Sequence, residues 1–339
     1  MKSSPFSDLQ KAPKTWLVTG CAGFIGSNLL ERLLKLGQNV VGLDNFSTGK
    51  RENLPPGIRF IEGDIRSLDA CRRACQGVNV VLHEAALGSV PRSIDDPIAS
   101  SASNVAGFIN MQVAARDAGV ERFVYASSSA VYGDHPALPK VEAITGRAMS
   151  PYGLTKQVNE LYADVFDVCY GFKSIGLRYF NVFGPRQDPN GAYASVIPAW
   201  IGALLRDEVP YINGDGTAGR DFCHIDNVVQ ANLLAATVED PQALGQAYNI
   251  ALGDQTSLTE LYEMIRSGVA RRFSNVRNVR AVHREPRRGD LQFSRADISK
   301  AARLLGYRPT VRIMAGLQKT IDWYADNLVV ADERKVAHA

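Results

Sequence analysis

The sequence predicts an α/β fold in which helices cover both faces of a parallel, doubly wound sheet, joined to a smaller α/β unit assembled from separate stretches of chain. Three observations carry that expectation. Apolar runs of strand length alternate with longer helical stretches through the first half of the 339 residues. The first of these runs opens straight into a glycine turn and a helix. Beyond Asn181, prolines and glycines break the alternation, which then returns only in pieces.

The first strand is Trp16-Leu17-Val18-Thr19, one of six expected near 15–19, 39–43, 58–61, 78–82, 122–126 and 174–178. It leads into Gly20-Cys21-Ala22-Gly23-Phe24-Ile25-Gly26, followed by Leu29, Leu30, Leu33 and Leu34 at helical spacing and a stop at Gly37. Glycines without a Cβ let a pyrophosphate approach the backbone, and the helix N-terminus offers it unpaired N–H groups. The spacing is G-x-x-G-x-x-G, a departure from the commoner G-x-G-x-x-G. A second strand, Val40-Val41-Gly42-Leu43, delivers Asp44, a carboxylate placed for ribose hydroxyls. It would repel a 2′-phosphate, so NAD is expected rather than NADP.

Long helices are expected over 96–119 and around Tyr152. Between them lies the cluster Ser127, Ser128, Ser129. Tyr152 and Lys156 are four apart, about one helical turn, so the ammonium is expected beside the phenol, lowering its pKa and making it a general base. Past Asn181, Pro185, Pro189, Gly191, Pro198, Pro210, Gly214, Gly216 and Gly219 mark loops around one helix near 194–206. A strand and helix are expected at 221–238, a helix after the capping box Ser257-x-x-Glu260, another at Ala296-Asp297-Ile298, and a mobile tail over 331–339.

Composition fits a globular enzyme, 45% hydrophobic and 22% charged. A net charge of +3 argues against a nucleic-acid partner, and Arg271, Arg272, Arg277, Arg280, Arg284, Arg287 and Arg288 carry no interleaved aromatics; most are expected on a solvated face, one or two on a diphosphate. No apolar run reaches membrane-spanning length and Met1-Lys2-Ser3-Ser4-Pro5 is no signal peptide, so a cytoplasmic protein without a membrane partner is expected. Cys21, Cys71, Cys75, Cys169 and Cys223 form no C-x-x-C, and the histidines lack ligand spacing, so no metal is expected.

The glycine turn, Ser127-Ser128-Ser129-Ala130-Val131-Tyr132-Gly133, and Tyr152 with Lys156 together resemble the extended short-chain dehydrogenase/reductase superfamily, in its nucleotide-sugar branch. The likeness covers nearly the whole chain. Asp64-Ile65, His83-Glu84-Ala85-Ala86 and Arg178-Tyr179-Phe180-Asn181-Val182-Phe183-Gly184-Pro185 match it further. Ala86-Leu87-Gly88-Ser89-Val90-Pro91-Arg92-Ser93 and Tyr211-Ile212-Asn213-Gly214-Asp215-Gly216 are similar to the UDP-N-acetylglucosamine 4-epimerases of bacterial surface-polysaccharide synthesis.

The resemblance implies a Rossmann-type NAD-binding domain, 1–183 with 219–252, and a discontinuous UDP-sugar-binding domain, 184–218 with 253–330. It implies Ser128, Tyr152 and Lys156 as the catalytic residues. NAD would lie on Gly20, Gly23, Phe24, Ile25, Gly26, Asp44, Asn45, Asp64, Ile65, Ala85, Ala86 and Asn104, with Tyr152 and Lys156. The UDP-sugar would meet Gly88, Ser89, Ser128, Ser129, Tyr152, Asn181, Asn213, Arg220, Arg287, Asp290 and Ser294. Arg220 and Arg287 would take the diphosphate and Asp290 the uridine ribose. The two long helices would pair with a second copy as a homodimer.

The residues after Ser128 select among reactions. Dehydratases of this superfamily carry Asp-Glu there, and UDP-glucuronate decarboxylases keep the glutamate, whereas this chain has Ser129 and Ala130. Without a second acid or base a 4-keto sugar can only take its hydride back, which on the opposite face gives C4 epimerisation. Ser294 would be the small residue that leaves room for a 2-acetamido group, favouring UDP-N-acetylglucosamine and UDP-N-acetylgalactosamine. Two alternatives stay open: a 4-epimerase of UDP-glucuronate or UDP-N-acetylglucosaminuronate, and a non-catalytic NAD-binding regulatory protein, against which Tyr152 and Lys156 both stand.

Overall fold

The computed structural model describes residues 6–190, 194–286 and 293–336. Its centre is a sheet of seven parallel strands: β1 (Thr15–Thr19), β2 (Asn39–Asp44), β3 (Arg59–Glu62), β4 (Val80–His83), β5 (Arg122–Ser128), β6 (Ser174–Tyr179) and β7 (Gln246–Ile250). They lie in the order β7-β6-β5-β4-β1-β2-β3, so the winding reverses between β1 and β4. In such a sheet the crevice beyond the carboxyl ends at the reversal is where ligands bind. Gly20 and Glu84 stand there.

Alternation along β1 shows why both faces are covered. Trp16 and Val18 join one core with Leu29, Leu30 and Leu33 of helix α1 (Phe24–Lys35), whereas Leu17 joins another with Cys71 and Cys75 of helix α2 (Leu68–Cys75). The cysteines thus pack as small hydrophobes. Helix α3 (Val90–Asp95) precedes a long helical run, which starts at Pro97 with the Asp96 carboxylate capping Ala99 and finishes as α4 (Gly107–Asp117). Inside it the turn Ala102–Ala106 is π-helical. Helix α5 (Pro151–Tyr170) carries Tyr152 in its first turn, where Pro151 fits without an N–H to satisfy, and stops at Gly171 in the left-handed conformation.

A third core lies off the sheet, where Ile197, Trp200 and Ile201 of α6 (Val196–Leu205) meet Leu261 and Ile265 of the later helix Leu258–Val269. Between these two in the chain runs α7 (Ile225–Thr237), which packs on the sheet. Helix α8 (Leu258–Val269) begins with the expected capping box, Ser257 and Glu260 reciprocally bonded. Three short pairings tie this region together: Val182–Phe183 with Cys223–His224, Gly219–Arg220 with Thr256–Ser257, and Tyr211–Asn213 with Val282–Arg284.

Three expectations are corrected. The strand sought at 221 has only two residues, Cys223–His224, and pairs off the sheet; the seventh sheet strand is Gln246–Ile250, whose polar Gln246 and Asn249 hid it. The helix expected at Ala296-Asp297-Ile298, α9, begins only after them and spans Ser299–Leu304, with the Asp297 carboxylate accepting from Ser299 N at its start. The tail expected over 331–339 is helical to Val336, because α10 (Ile313–Val336) meets no proline and, after Gly316, no glycine. Gly191, Arg287, Arg288, Asp290 and residues 337–339 lie outside the described residues.

Candidate active site

The glycine turn leaves β1 at Gly20, which sits at φ +65°, a conformation costly for a residue with a Cβ. A Cβ there would meet the Ala85 backbone at 2.9 Å, and one at Gly26 would lie 2.2 Å from the Gly20 carbonyl. The turn is therefore a bare backbone cradle. Gly23 caps α1 without any side-chain bond, so the helix N-terminus keeps donors and positive dipole for a ligand. This fits the pyrophosphate of NAD. The cradle opens on a cavity of about 240 Å³ lined by Gly20, Gly23, Phe24, Ile25, Gly26, Asp44, Asn45, Asp64, Ile65, Ala85, Ala86 and Gly88.

Asp44 does more than face the cavity. Its carboxylate accepts from Ala22 N at 2.9 Å and Phe46 N at 2.8 Å, fixing the glycine turn to the end of β2. Asp64 is gripped by Arg66 and by Asn45 Nδ2 at 2.8 Å, and Arg66 holds its carboxyl down at about 2. Asn104 does not line this cavity. Its amide donates to Leu87 O and Thr155 Oγ1, both at 3.2 Å, while its oxygen accepts from Leu87 N at 2.7 Å. It is buried behind the cleft, where the π turn aims it, and fastens the 84–88 loop to α5.

Tyr152 is positioned through its backbone. Its N–H, one of the unpaired donors at the start of α5, donates to the buried Ser93 Oγ at 3.0 Å. The Ser128 hydroxyl faces the phenol closely enough to pull its pKa down, and its oxygen accepts from Ala130 N at 3.1 Å. Lys156 Nζ donates to Ala126 O at 2.7 Å and lies 6.0 Å from the centre of the Tyr152 ring. The expected depression of the phenol pKa is not what the chain itself produces. Burial pushes Tyr152 above its ordinary value, against a smaller downward pull from Ser128, and burial pushes Lys156 down to about 8. The protein alone leaves the phenol protonated.

Ser127 Oγ donates to Glu160, whose carboxylate also receives Arg178 through two bonds, Nε at 2.9 Å and Nη2 at 2.7 Å. Arg178 goes on to Tyr132 OH at 3.0 Å, which donates to Asn249 at 2.6 Å. This buried chain locks α5 to β5, β6 and β7 beneath the reacting residues. Ser129 is half-buried in the 3-10 turn after Ser128, and Ser89 caps α3 by accepting from Arg92 N at 3.3 Å.

A second cavity, about 840 Å³, is lined by Asn181, Asn213 and Arg220, three of the expected substrate residues, together with Trp200, Tyr211 and Arg284. Ser128 and Tyr179 are neighbours in the β5–β6 register, and two residues past Tyr179 the chain reaches Asn181. Asp221, the neighbour that could have paired with Arg220, is instead buried and accepts from the amides of Leu252, Gly253 and Ala296; burial raises its pKa to about 6. Ser294 is buried with its N–H on Gly219 O at 3.0 Å, beside Arg220, and does not line either cavity. Arg287 and Asp290 fall outside the described residues.

Two cavity residues escaped the sequence reading. Arg284 stacks over the Tyr211 ring at 3.1 Å, and its signal was a cation in a basic run with no aromatic near it in sequence. Glu84 sits in a quoted motif, His83-Glu84-Ala85-Ala86, yet lines the smaller cavity as a buried carboxyl.

Comparison with known proteins gives a consistent picture. A family model described as the NAD dependent epimerase/dehydratase family matches residues 16–251. The chain is 36% identical over 313 residues to a putative UDP-glucose 4-epimerase of Methanocaldococcus jannaschii, covering 92% of this chain and 98% of that protein. Its structure is similar to a UDP-glucose 4-epimerase from Thermotoga maritima solved with UDP-glucose, with TM-score 0.87 at 34% identity over 93% of this chain and 99% of that one. It is also similar to a UDP-N-acetylglucosamine 4-epimerase from Methanobrevibacter ruminantium in complex with UDP-N-acetylmuramic acid, with TM-score 0.86 at 34% identity over 93% and 99%.

Proposed function

We propose that this chain, which belongs to the NAD dependent epimerase/dehydratase family, interconverts UDP-N-acetylglucosamine and UDP-N-acetylgalactosamine by inverting the configuration at C4. It is an NAD-dependent UDP-sugar 4-epimerase; the acetylated sugar is the step we add.

NAD, when bound on the glycine cradle, takes the C4 hydride and returns it. The chain's own residues do the rest. Tyr152 receives the proton of the C4 hydroxyl and gives it back, Ser128 holds the same oxygen, and Lys156 supplies the positive charge that favours the phenolate. Ser129 and Ala130 follow Ser128 in a 3-10 turn, where neither can protonate or deprotonate a neighbouring sugar carbon. That is the observation that carries epimerisation over dehydration. Asn181, Asn213 and Arg220 line a cavity large enough for a nucleoside diphosphate, with Arg220 as the diphosphate cation.

The acetamido preference rests on the likeness of residues 86–93 and 211–216 to UDP-N-acetylglucosamine 4-epimerases and on the structural neighbour of that kind; Ser294, small and buried, lines neither cavity but sits beside Arg220, which lines the larger one. NMR product analysis with UDP-N-acetylglucosamine, UDP-glucose and UDP-glucuronate tests it. The acetylated sugar should turn over best, and Ser294→Tyr should abolish its turnover while sparing UDP-glucose. Equal losses, or preferred turnover of the uronate, would overturn the assignment.

A further inference from the structure

Glu84 stands one residue beyond β4, in the wall of the cofactor cavity between the glycine cradle and the Tyr152 end of the site. A Cβ on Gly20 would come within 3.1 Å of its carbonyl carbon, so its backbone lies directly against the turn. One carboxyl oxygen, Oε1, accepts from Tyr179 OH at 2.8 Å, and that hydroxyl accepts from Asn232 Nδ2 at 2.8 Å. The other, Oε2, is buried with no protein partner. A buried acceptor left without a donor is costly unless something else arrives to use it.

We propose that Glu84 is a cofactor-tuning residue: its carboxylate, in the cavity wall and anchored through Oε1 by Tyr179, favours the cationic nicotinamide of NAD+ over the neutral ring of NADH. The inference rests on the reading that NAD lies along this cavity with its nicotinamide towards Tyr152 and Lys156, the two reacting groups that Glu84 acts on electrostatically. Its logic is electrostatic. Taking up a hydride removes the positive charge of the ring, so a fixed negative charge beside it penalises reduction. In an enzyme that must return the hydride, holding the reduced state less firmly drives the second half of the reaction.

The groups that face Glu84 set its pH behaviour. Tyr179 approaches from β6, and Lys156 and Tyr152 from α5. His83, its neighbour on β4, turns to Thr19 Oγ1 at 2.9 Å and is pushed by burial to about 3, so it stays neutral. Burial lifts the Glu84 carboxyl to about 7, with Tyr179 and Lys156 pulling it back. The carboxylate therefore forms as pH rises through about 7, and the preference for NAD+ rises with it. Lys156, with a pKa near 8, loses its charge above that and adds a change in the same direction. Glu84 also pulls the Lys156 pKa up, so in Glu84→Gln the lysine discharges at lower pH, which narrows the difference between the two proteins at pH 8.5 without abolishing it.

The test dialyses the full-length protein to equilibrium against mixtures of NAD+ and NADH and reads the bound ratio chromatographically. At pH 8.5 the wild-type NAD+/NADH ratio should exceed that of Glu84→Gln by roughly tenfold, a unit charge acting across partly screened interior; at pH 5.5 the two should agree within about twofold. Tyr179→Phe keeps the charge and loses the donor, so its high-pH preference should remain while its midpoint moves up. Identical ratios in wild type and Glu84→Gln at both pH values would overturn the inference, as would equal weakening of both nucleotides. So would a Tyr179→Phe protein that loses the preference as fully as Glu84→Gln. If wild type binds neither nucleotide, the cofactor reading itself fails and takes this inference with it.

Discussion

Tyr152 and Lys156 are held differently from a simple tyrosine-lysine pair on a helix. The phenol is pushed up by burial and the ammonium down, because each would have to carry its charge in a site that excludes water. The tyrosine becomes a base only once positive charge beyond that of Lys156 enters the cleft. Changing Tyr152 to Phe keeps the ring and its packing but removes the atom that exchanges the proton, so kcat should fall by roughly two to four orders of magnitude. KM for the UDP-sugar should stay within about twofold, since binding energy realised equally in ground and transition states is untouched. Steady-state kinetics of the purified variant check both. Near-normal turnover would remove Tyr152 from the chemistry.

At the scale of elements, the site is held by ties between secondary structures that are remote in sequence. Glu160, one turn beyond Lys156, receives Ser127 and Arg178 together, and the Arg178 side chain is only 6% exposed. Replacing Glu160 by Ala leaves a buried guanidinium without its carboxylate, which should cost about 3–5 kcal/mol of stability. Urea unfolding at neutral pH measures it, and a change below about 1 kcal/mol would show the pair to be a surface-like contact.

The same distinction explains what the sequence made legible. The glycine turn, Asp44 and the places of the first six strands along the chain could be read because local chemistry dictates them: a positive φ, a close backbone approach, an apolar run of strand length. Nothing local reveals that the amide of Asn104, in a π turn, meets Leu87 and Thr155. Glu84 and Arg284 were missed for the same reason, since their partners Tyr179 and Tyr211 are brought to them only by the fold. Strand β7 was obscured by polar residues that find partners in the tertiary structure, such as Asn249 with Tyr132.

On the whole molecule, one face of α5 presents Leu154, Leu161, Val165 and Val168 to solvent, and Ile98 is 81% exposed on the helical run packed beside it. Residues 154, 161, 165 and 168 follow helical spacing, so they form one apolar stripe. An apolar stripe of this kind marks an association surface, and we propose that it pairs with a second copy of the chain as a homodimer. Light scattering should give twice the 36.9 kDa of one chain, and replacing Leu161 and Val165 together by Asp should give the single mass. A monomeric wild type would contradict this.

All of these features serve one claim, that the hydride leaving C4 never leaves the enzyme. Its most direct test is to supply UDP-N-acetylglucosamine carrying deuterium at C4 to purified protein without added nucleotide, and to follow the label in the product by NMR. Internal return predicts UDP-N-acetylgalactosamine with the deuterium retained at C4 and no net formation of NADH. Loss of the label to water, or conversion only with stoichiometric NAD and accumulation of NADH, would contradict it.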